Sequence, residues 1–347
     1  MNPYKKVNIY YFSGTGNALS VANWLLTLAK SNNIEGQLIN IASLNFSSIE
    51  TSQTDTLIII ISPIHGFNYP NLVLKFLMNF PKGNNRIVLM NTRAGMKIGK
   101  FVTPGLTGVA FILSSIILYF KGYQIRGQIP FDMPSNWISI HPALKDSTVK
   151  YLHKINFQRA EKHAVKIFSG KRDFHAYRDL IQDILLIPIS FAFYLAGRFV
   201  FAKSFFASQT CNNCGKCLKN CPVRAIISVH NKPFWTFKCE SCMNCMNNCP
   251  KNAIQTAHIL IIVSSMIGSF LFTFFTTNII QLNVSSSILN FVIKTAFFIF
   301  VVAILYYIQH VLMKNRFFSK LFSYTSLTYY KFWGRYKSIS DEEWKES

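Results

Sequence analysis

Cys211-x-x-Cys214-x-x-Cys217-x-x-x-Cys221-Pro222 recurs 28 residues later as Cys239-x-x-Cys242-x-x-Cys245-x-x-x-Cys249-Pro250. Each run closes on a related phrase, Cys-Pro-Val-Arg-Ala-Ile against Cys-Pro-Lys-Asn-Ala-Ile. Three closely spaced thiolates wrap one face of an iron–sulfur cubane, and the fourth ligand must come from elsewhere. In a doubled run of this spacing the fourth cysteine crosses to the other cluster. The expected sets are Cys211, Cys214, Cys217 and Cys249 on one [4Fe–4S] cluster, and Cys239, Cys242, Cys245 and Cys221 on the other. Gly215 is expected to let backbone amides approach the sulfides without a Cβ in the way. The two prolines set the turn after each crossing ligand. Zinc ribbons pair C-x-x-C units but lack these two trailing C-x-x-x-C-P segments. A disulfide framework needs a secreted chain, and residues 1–9 carry no apolar signal core. All 8 cysteines are used by the two runs.

Composition adds a membrane and a charge. Half of the 347 residues are hydrophobic, Phe alone contributes 32, and mean hydropathy is +0.23. That exceeds what a purely soluble protein carries, so membrane segments are expected. The net charge of +22 suggests an acidic redox partner protein or an anionic membrane surface. The same excess could come from a general bias toward Lys, Asn, Ile and Phe. The charge is uneven, however: between Ile184 and Ser340 the only acidic residue is Glu240. No nucleic-acid recognition motif accompanies it, so nucleic acid is not an expected partner.

The N-terminal half reads as alternating strands and helices. Residues 7–12 are a short apolar run leading into Ser13, Gly14, Thr15, Gly16 and Asn17, then a helical stretch to about Lys30. A strand, a loop of small residues and a helix N-terminus form an anion site, because exposed N–H groups and the helix dipole point at it. The loop is neither a G-x-G-x-x-G fingerprint nor a P-loop. Residues 55–62 suit a strand buried on both faces and end in a loop that begins Pro63, Ile64, His65, Gly66. A second buried strand, 86–91, ends in Asn91 and a loop of Thr92, Arg93, Ala94 and Gly95. Helices are expected over 71–79, 101–119 and 145–169, and a last strand over 124–131. Such alternation predicts an α/β doubly wound parallel sheet, whose ligands sit at the carboxyl ends of the strands.

The segment Tyr11-Phe12-Ser13-Gly14-Thr15-Gly16-Asn17 resembles the phosphate loop of flavodoxins, which bind FMN. The resemblance implies that residues 13–17 hold the phosphate. It also implies that Pro63, Ile64, His65 and Gly66, with Asn91, Thr92, Arg93 and Gly95, flank the flavin ring. His65 either touches the ring or hydrogen-bonds locally. Ala18 stands where flavodoxins usually carry Thr or Ser, so one hydroxyl donor is lost. With the cysteine runs, residues 4 to 256 resemble the flavodoxin–ferredoxin fusion proteins of bacteria and archaea. That family is implied to pass electrons between FMN and two [4Fe–4S] clusters in one chain.

Residues 184–202 form an apolar stretch broken by Pro188 and Arg198, with basic residues on both flanks. Charge on both sides opposes crossing, so an interfacial or buried tether helix is expected. Residues 257–280 and 288–313 are each long enough to span a bilayer, and the polar loop 281–287 joins them as a hairpin. The basic tail beyond Lys314 places both termini and the redox domains in the cytoplasm by the positive-inside rule. Lys294 is expected to snorkel. His258 and His310 either ligate haem or a quinone across the hairpin, or are ordinary interfacial histidines. The tail 324–336 reads as an interfacial anchor or as a segment docked on the flavin domain.

The expected organisation is therefore a flavodoxin-like domain (1–170), a tether (171–207), an α+β two-cluster ferredoxin domain (208–256), two transmembrane helices (257–313) and a basic aromatic tail (314–347). The expected function is membrane-anchored electron transfer. One rival is a flavin-dependent reductase of a quinone or another small substrate. The other is a ferredoxin whose flavodoxin-like domain holds no flavin and docks a partner.

Overall fold

The computed structural model describes residues 3–50, 52–99, 101–274 and 287–345. The chain divides into two compact units. One comprises Met1–Trp137, Ala143–Phe191 and Tyr336–Ser347; the other comprises Ile138–Pro142 and Ala192–Arg335.

The first unit is built on strands β1 (Lys6–Tyr11), β2 (Glu35–Asn40), β3 (Thr56–Pro63), β4 (Arg86–Ile98), β5 (Phe101–Thr103) and β6 (Gln124–Pro134). Five of them are mutually parallel in the order β2-β1-β3-β4-β6. That is the flavodoxin-like strand order of doubly wound sheets. Its helices are α1 (Asn17–Ser31), α2 (Asn71–Asn79), α3 (Ala110–Phe120), α4 (Asp146–Phe168), α5 (Leu180–Leu185) and α6 (Ile187–Ala192). Side chains alternate across the sheet, as the pleat requires. Val7, Ile9, Leu57, Ile59, Ile61, Val88, Met90, Ile129, Phe131 and Met133 share one core with Val21 and Leu25 of α1 and Ala160 and Ile167 of α4. On the other face Tyr10 packs edge-on against Phe80, and tilted against Phe76 of α2. β3 is the central strand, and its run Leu57 to Ile61 is fully buried.

Two boundaries depart from the sequence expectation. β4 does not end at Asn91; it continues to Ile98, paired with β6 as far as Gly95–Pro134, and then turns back into β5. The expected helix over 101–119 begins only at Ala110, because Phe101–Thr103 completes that hairpin.

The second unit holds α7 (Arg198–Ala202), β7 (Phe205–Ala207), α8 (Lys216–Lys219), β8 (Ile226–Val229), β9 (Lys232–Trp235), α9 (Asn244–Asn247) and β10 (Ile254–Thr256). β7 pairs antiparallel with β10, and β8 with β9. His230 and Asn231 join the hairpin at φ 51° and 60°, as a two-residue I′ turn demands. Then follow α10 (His258–Phe274), α11 (Ser287–Leu312) and α12 (Arg316–Tyr324). Where α10 faces α11, a Cβ on Gly268 would lie 3.1 Å from the Phe298 ring, so glycine permits close packing.

Only Leu289–Leu312 is an unbroken helix long and apolar enough to cross a membrane among the described residues. His258–Phe274 is apolar but shorter, and the rest of the expected first span (275–280) and its loop 281–286 lie outside the described residues. The stretch 184–202 is not one helix: His175–Leu185 and Ile187–Ala202 meet at a 71° bend.

The tail is hydrogen-bonded to the protein. Within the second unit Trp333 donates to the Ile138 carbonyl (2.6 Å), Thr328 to the Gln255 side chain (2.7 Å), and Arg335 to the Ile254 carbonyl (3.1 Å). Beyond it, α13 (Asp341–Lys345) belongs to the first unit.

Candidate iron–sulfur and flavin sites

The cysteine repeat folds as a structural repeat. Asn213 and Ser241, at matching positions, have φ 56° and 50°; Gly215 and Met243 have φ 69° and 61°. Left-handed residues spaced this closely turn successive N–H groups toward one side, the geometry that cradles anionic centres. Gly215 and Met243 share the same left-handed backbone conformation at matching positions, and no protein atom lies within 4 Å of where a Cβ on Gly215 would be. What Gly215 supplies is the positive φ.

Two cavities open between the runs. One is lined by Cys211, Cys214, Cys217 and Cys249, and also by Cys245. The other is lined by Cys221, Cys239, Cys242 and Cys245. The fourth cysteine of each run thus faces the other run's first three. None of the eight is in a disulfide. Thiol electrostatics follow the same grouping. Burial pushes the Cys217 thiol up to about 11, and Cys211 and Cys249 add to it. Burial pushes Cys242 up to about 12, with Cys221 contributing. Buried thiols of this kind ionise only when a metal compensates, so the pockets suit thiolate ligation. The crossing cysteines are further fixed by backbone donors: Ala225 N–H to Cys221 Sγ (3.2 Å) and Ala253 N–H to Cys249 Sγ (3.3 Å). Such N–H···S bonds raise cluster potentials.

Lys203 is a residue the cysteine spacing does not announce. It is buried, donates to the Trp235 carbonyl (2.6 Å), and lies 4.5 Å from the ring centroids of both Phe234 and Phe237. Burial lowers its pKa to about 8 against the raising influence of Cys239.

In the first unit, Ser13, Gly14, Thr15, Gly16 and Asn17 connect β1 to the N-terminus of α1, at the carboxyl end of the sheet. Gly16 has φ 104°, a value L side chains rarely adopt, and its N–H bonds Ser13 Oγ (3.1 Å). Helix geometry leaves the first N–H groups of α1 without intrahelical acceptors. A phosphate fits that arrangement. The loop side chains have protein partners: Asn17 donates to the Pro134 carbonyl (2.8 Å) and accepts from the Tyr336 hydroxyl, and Thr15 Oγ1 accepts from Asn136.

Pro63, Ile64, His65 and Gly66 lie at the end of β3. Ile64 N–H bonds the Thr92 carbonyl (3.0 Å), and His65 and Asn68 close a tight turn through Gly66 (φ 56°) and Phe67 (φ 65°). The expected second wall is different. Asn91, Thr92, Arg93 and Gly95 are strand residues of β4, not a loop. The Asn91 side chain donates to Thr107 (3.3 Å). Arg93 is 6% exposed and bonds Asp132 (2.7 Å) and Asp179 (2.6 Å). A Cβ on Gly95 would meet the Asp132 carbonyl at 2.3 Å. Burial alone would raise the Asp132 carboxyl, but Arg93 and Arg159 overcome it and hold the pKa below its usual range. Arg93 is therefore committed to a buried ion network that ties β4 to β6.

The two histidines of the apolar helices are engaged within the protein. His258 Nδ1 accepts from Leu327 N–H (3.2 Å), and its Nε2 lies 3.0 Å from the Ser139 carbonyl. His310 Nε2 lies 3.0 Å from the Val229 carbonyl. That pattern fits satisfied structural histidines better than cofactor ligands.

The strand order and the paired cysteine cavities together define a flavodoxin-like α/β fold joined in one chain to a 4Fe–4S dicluster domain. Residues 210–254 match the 4Fe-4S dicluster domain family. Solved structures similar to the N-terminal half include a flavodoxin from the domain Archaea, at 14% identity, with 45% of this chain and 97% of that one covered (TM-score 0.28). Flavodoxin 1 from Bacillus cereus is 16% identical over 44% of this chain and 97% of its own (TM-score 0.30). A Fusobacterium nucleatum flavodoxin bound to flavin mononucleotide is 13% identical over 47% and 99% (TM-score 0.32). No curated protein matches the chain. At these identities the fold assignment rests on the strand order itself.

Proposed function

We propose that this chain is a membrane-anchored electron-transfer protein that moves electrons between FMN and two [4Fe–4S] clusters. The observation that carries the reading is the pair of cysteine-lined cavities, each completed by the other run's fourth cysteine. Cys211, Cys214, Cys217 and Cys249 would hold one cluster, and Cys239, Cys242, Cys245 and Cys221 the other. Residues 13–17 would hold the FMN phosphate, and Pro63 to Gly66 would line the ring. FMN exchanges two electrons and clusters one, so such a chain can interconvert the two currencies. The chain's own residues supply the cysteine-lined pockets, the N–H···S bonds and the loop N–H groups. An acidic redox protein is the proposed exchange partner, from the +22 charge.

Membrane anchoring is supported by Leu289–Leu312 and by the apolar helix His258–Phe274 beside it. The proposed topology is two spans with both termini cytoplasmic, on the same side as the reduced cysteines.

A flavin-free docking domain is the competing reading, favoured by the protein partners already held by Thr15 and Asn17. Anaerobic purification separates the two. The proposal expects about 8 iron, 8 sulfide and one FMN per chain, the count for two cubanes and one flavin. Clusters without flavin, in protein offered FMN during purification, would leave the docking reading standing.

A further inference from the structure

The C-terminal segment returns to the first unit and seats itself on the phosphate loop. Trp344 of α13 is 3% exposed and belongs to the same core as Val21 and Leu25 of α1. Its ring meets Trp24 edge-on at 5.9 Å. Asp341 accepts from both indoles, Trp24 Nε1 (2.8 Å) and Trp344 Nε1 (3.1 Å). The Glu343 side chain accepts from Ser340 N–H (2.9 Å), half of a capping box that starts α13. These contacts fix where residues 336–340 run. Tyr336 reaches Asn17, and Ser338 lies directly against Gly16: a Cβ built on Gly16 would fall 2.3 Å from Ser338 Oγ and 2.6 Å from its Cβ. Gly16 is therefore required for the close approach of the tail, whatever it does for a ligand. Ser338 itself is exposed, and its hydroxyl oxygen lies beside Gly16. Ala18, by contrast, is 1% exposed and brings no donor.

We propose that Ser338 is a ligand-binding residue of the phosphate loop, supplying from the C-terminal tail the hydroxyl donor that Ala18 does not. The inference rests on the flavin reading of that loop. A hydroxyl donating to a phosphate oxygen forms a charge-assisted bond, stronger than a neutral one. The tail then makes the loop's donor set complete only when α13 is docked.

The test uses full-length protein stripped of flavin and titrated with FMN and with riboflavin, which has no phosphate, by flavin fluorescence quenching. Ser338→Ala should weaken FMN about tenfold and leave riboflavin unchanged, and Ser338→Thr should restore FMN binding. Trp344→Ala, which unseats the tail, should weaken FMN at least as much. Wild-type FMN affinity in Ser338→Ala, with loss in Thr15→Val, would overturn the role of Ser338 while the flavin site stands. Tighter FMN binding in Ser338→Ala or Trp344→Ala would show that the tail obstructs the loop, and the proposal fails. If wild-type protein binds neither compound, the flavin reading falls and takes this inference with it.

Discussion

Arg224 and Asn252, 28 residues apart, sit at φ 48° and 46°, each three positions after its crossing cysteine. Neither is glycine, so each turn holds a left-handed conformation that is uncommon outside glycine and Asn. The next N–H in each turn donates to the cysteine sulfur, from Ala225 to Cys221 and from Ala253 to Cys249. The two halves are thus one structural unit used twice, with the fourth cysteine of each lining the other's cavity.

That exchange can be tested one cysteine at a time. Cys221→Ala should damage the cluster of Cys239, Cys242 and Cys245, and Cys249→Ala the cluster of Cys211, Cys214 and Cys217. Low-temperature EPR of reduced protein, with iron counts, reads which signal disappears. Loss confined to the mutated cysteine's own run would refute the crossed assignment.

Lys203 places a buried positive charge near the Cys239 thiol. A cation there favours the more negative, reduced cluster. Lys203→Met should lower the potential of the cluster held by Cys221, Cys239, Cys242 and Cys245, on the order of tens of millivolts. The other cluster should move less. An EPR-monitored redox titration would disprove the assignment if both potentials stayed put.

Asp183 accepts from Gly108 N–H (2.8 Å), and burial pushes its pKa up to about 6. A raised folded-state pKa means stability present at low pH that is lost as pH rises through about 6. Asp183→Asn keeps the acceptor without the charge. It should stabilise the protein by about 1–2 kcal/mol at pH 7.5 and by little at pH 4.5. Thermal melts at the two pH values check this; an equal shift at both would mean the carboxylate is not strained.

The membrane reading makes a topological forecast. Carbonate or high salt should not extract the full-length protein, whereas truncation after Thr256 should leave attachment that salt weakens. A single cysteine introduced in the loop 281–287 of a cysteine-tolerant background should react with an impermeant reagent from outside, and one replacing Ser340 should not. The reverse labelling pattern would overturn the orientation.

The sequence by itself determined the doubled cysteine run, the strand–loop–helix at residues 13–17 and the central strands. Thiolate spacing is a local constraint, and a strand buried on both faces, such as β3, must read as continuous Leu and Ile. The edge strand β2 was not legible, because its sequence Glu-Gly-Gln-Leu-Ile-Asn is mostly solvated and lacks that run. Only the tertiary structure decided that β4 continues through Asn91 to Gly95, since the pairing partner in β6 lies more than thirty residues away in sequence. Only it placed Lys203 under an aromatic cage, and only it brought Ser338 against Gly16. Both are long-range juxtapositions set by burial. The helix that starts at the Ser340–Glu343 capping box was not anticipated, and nothing local says that Trp344 will enter the core beside Trp24, because that contact is chosen by the apolar surface of α1 and α4.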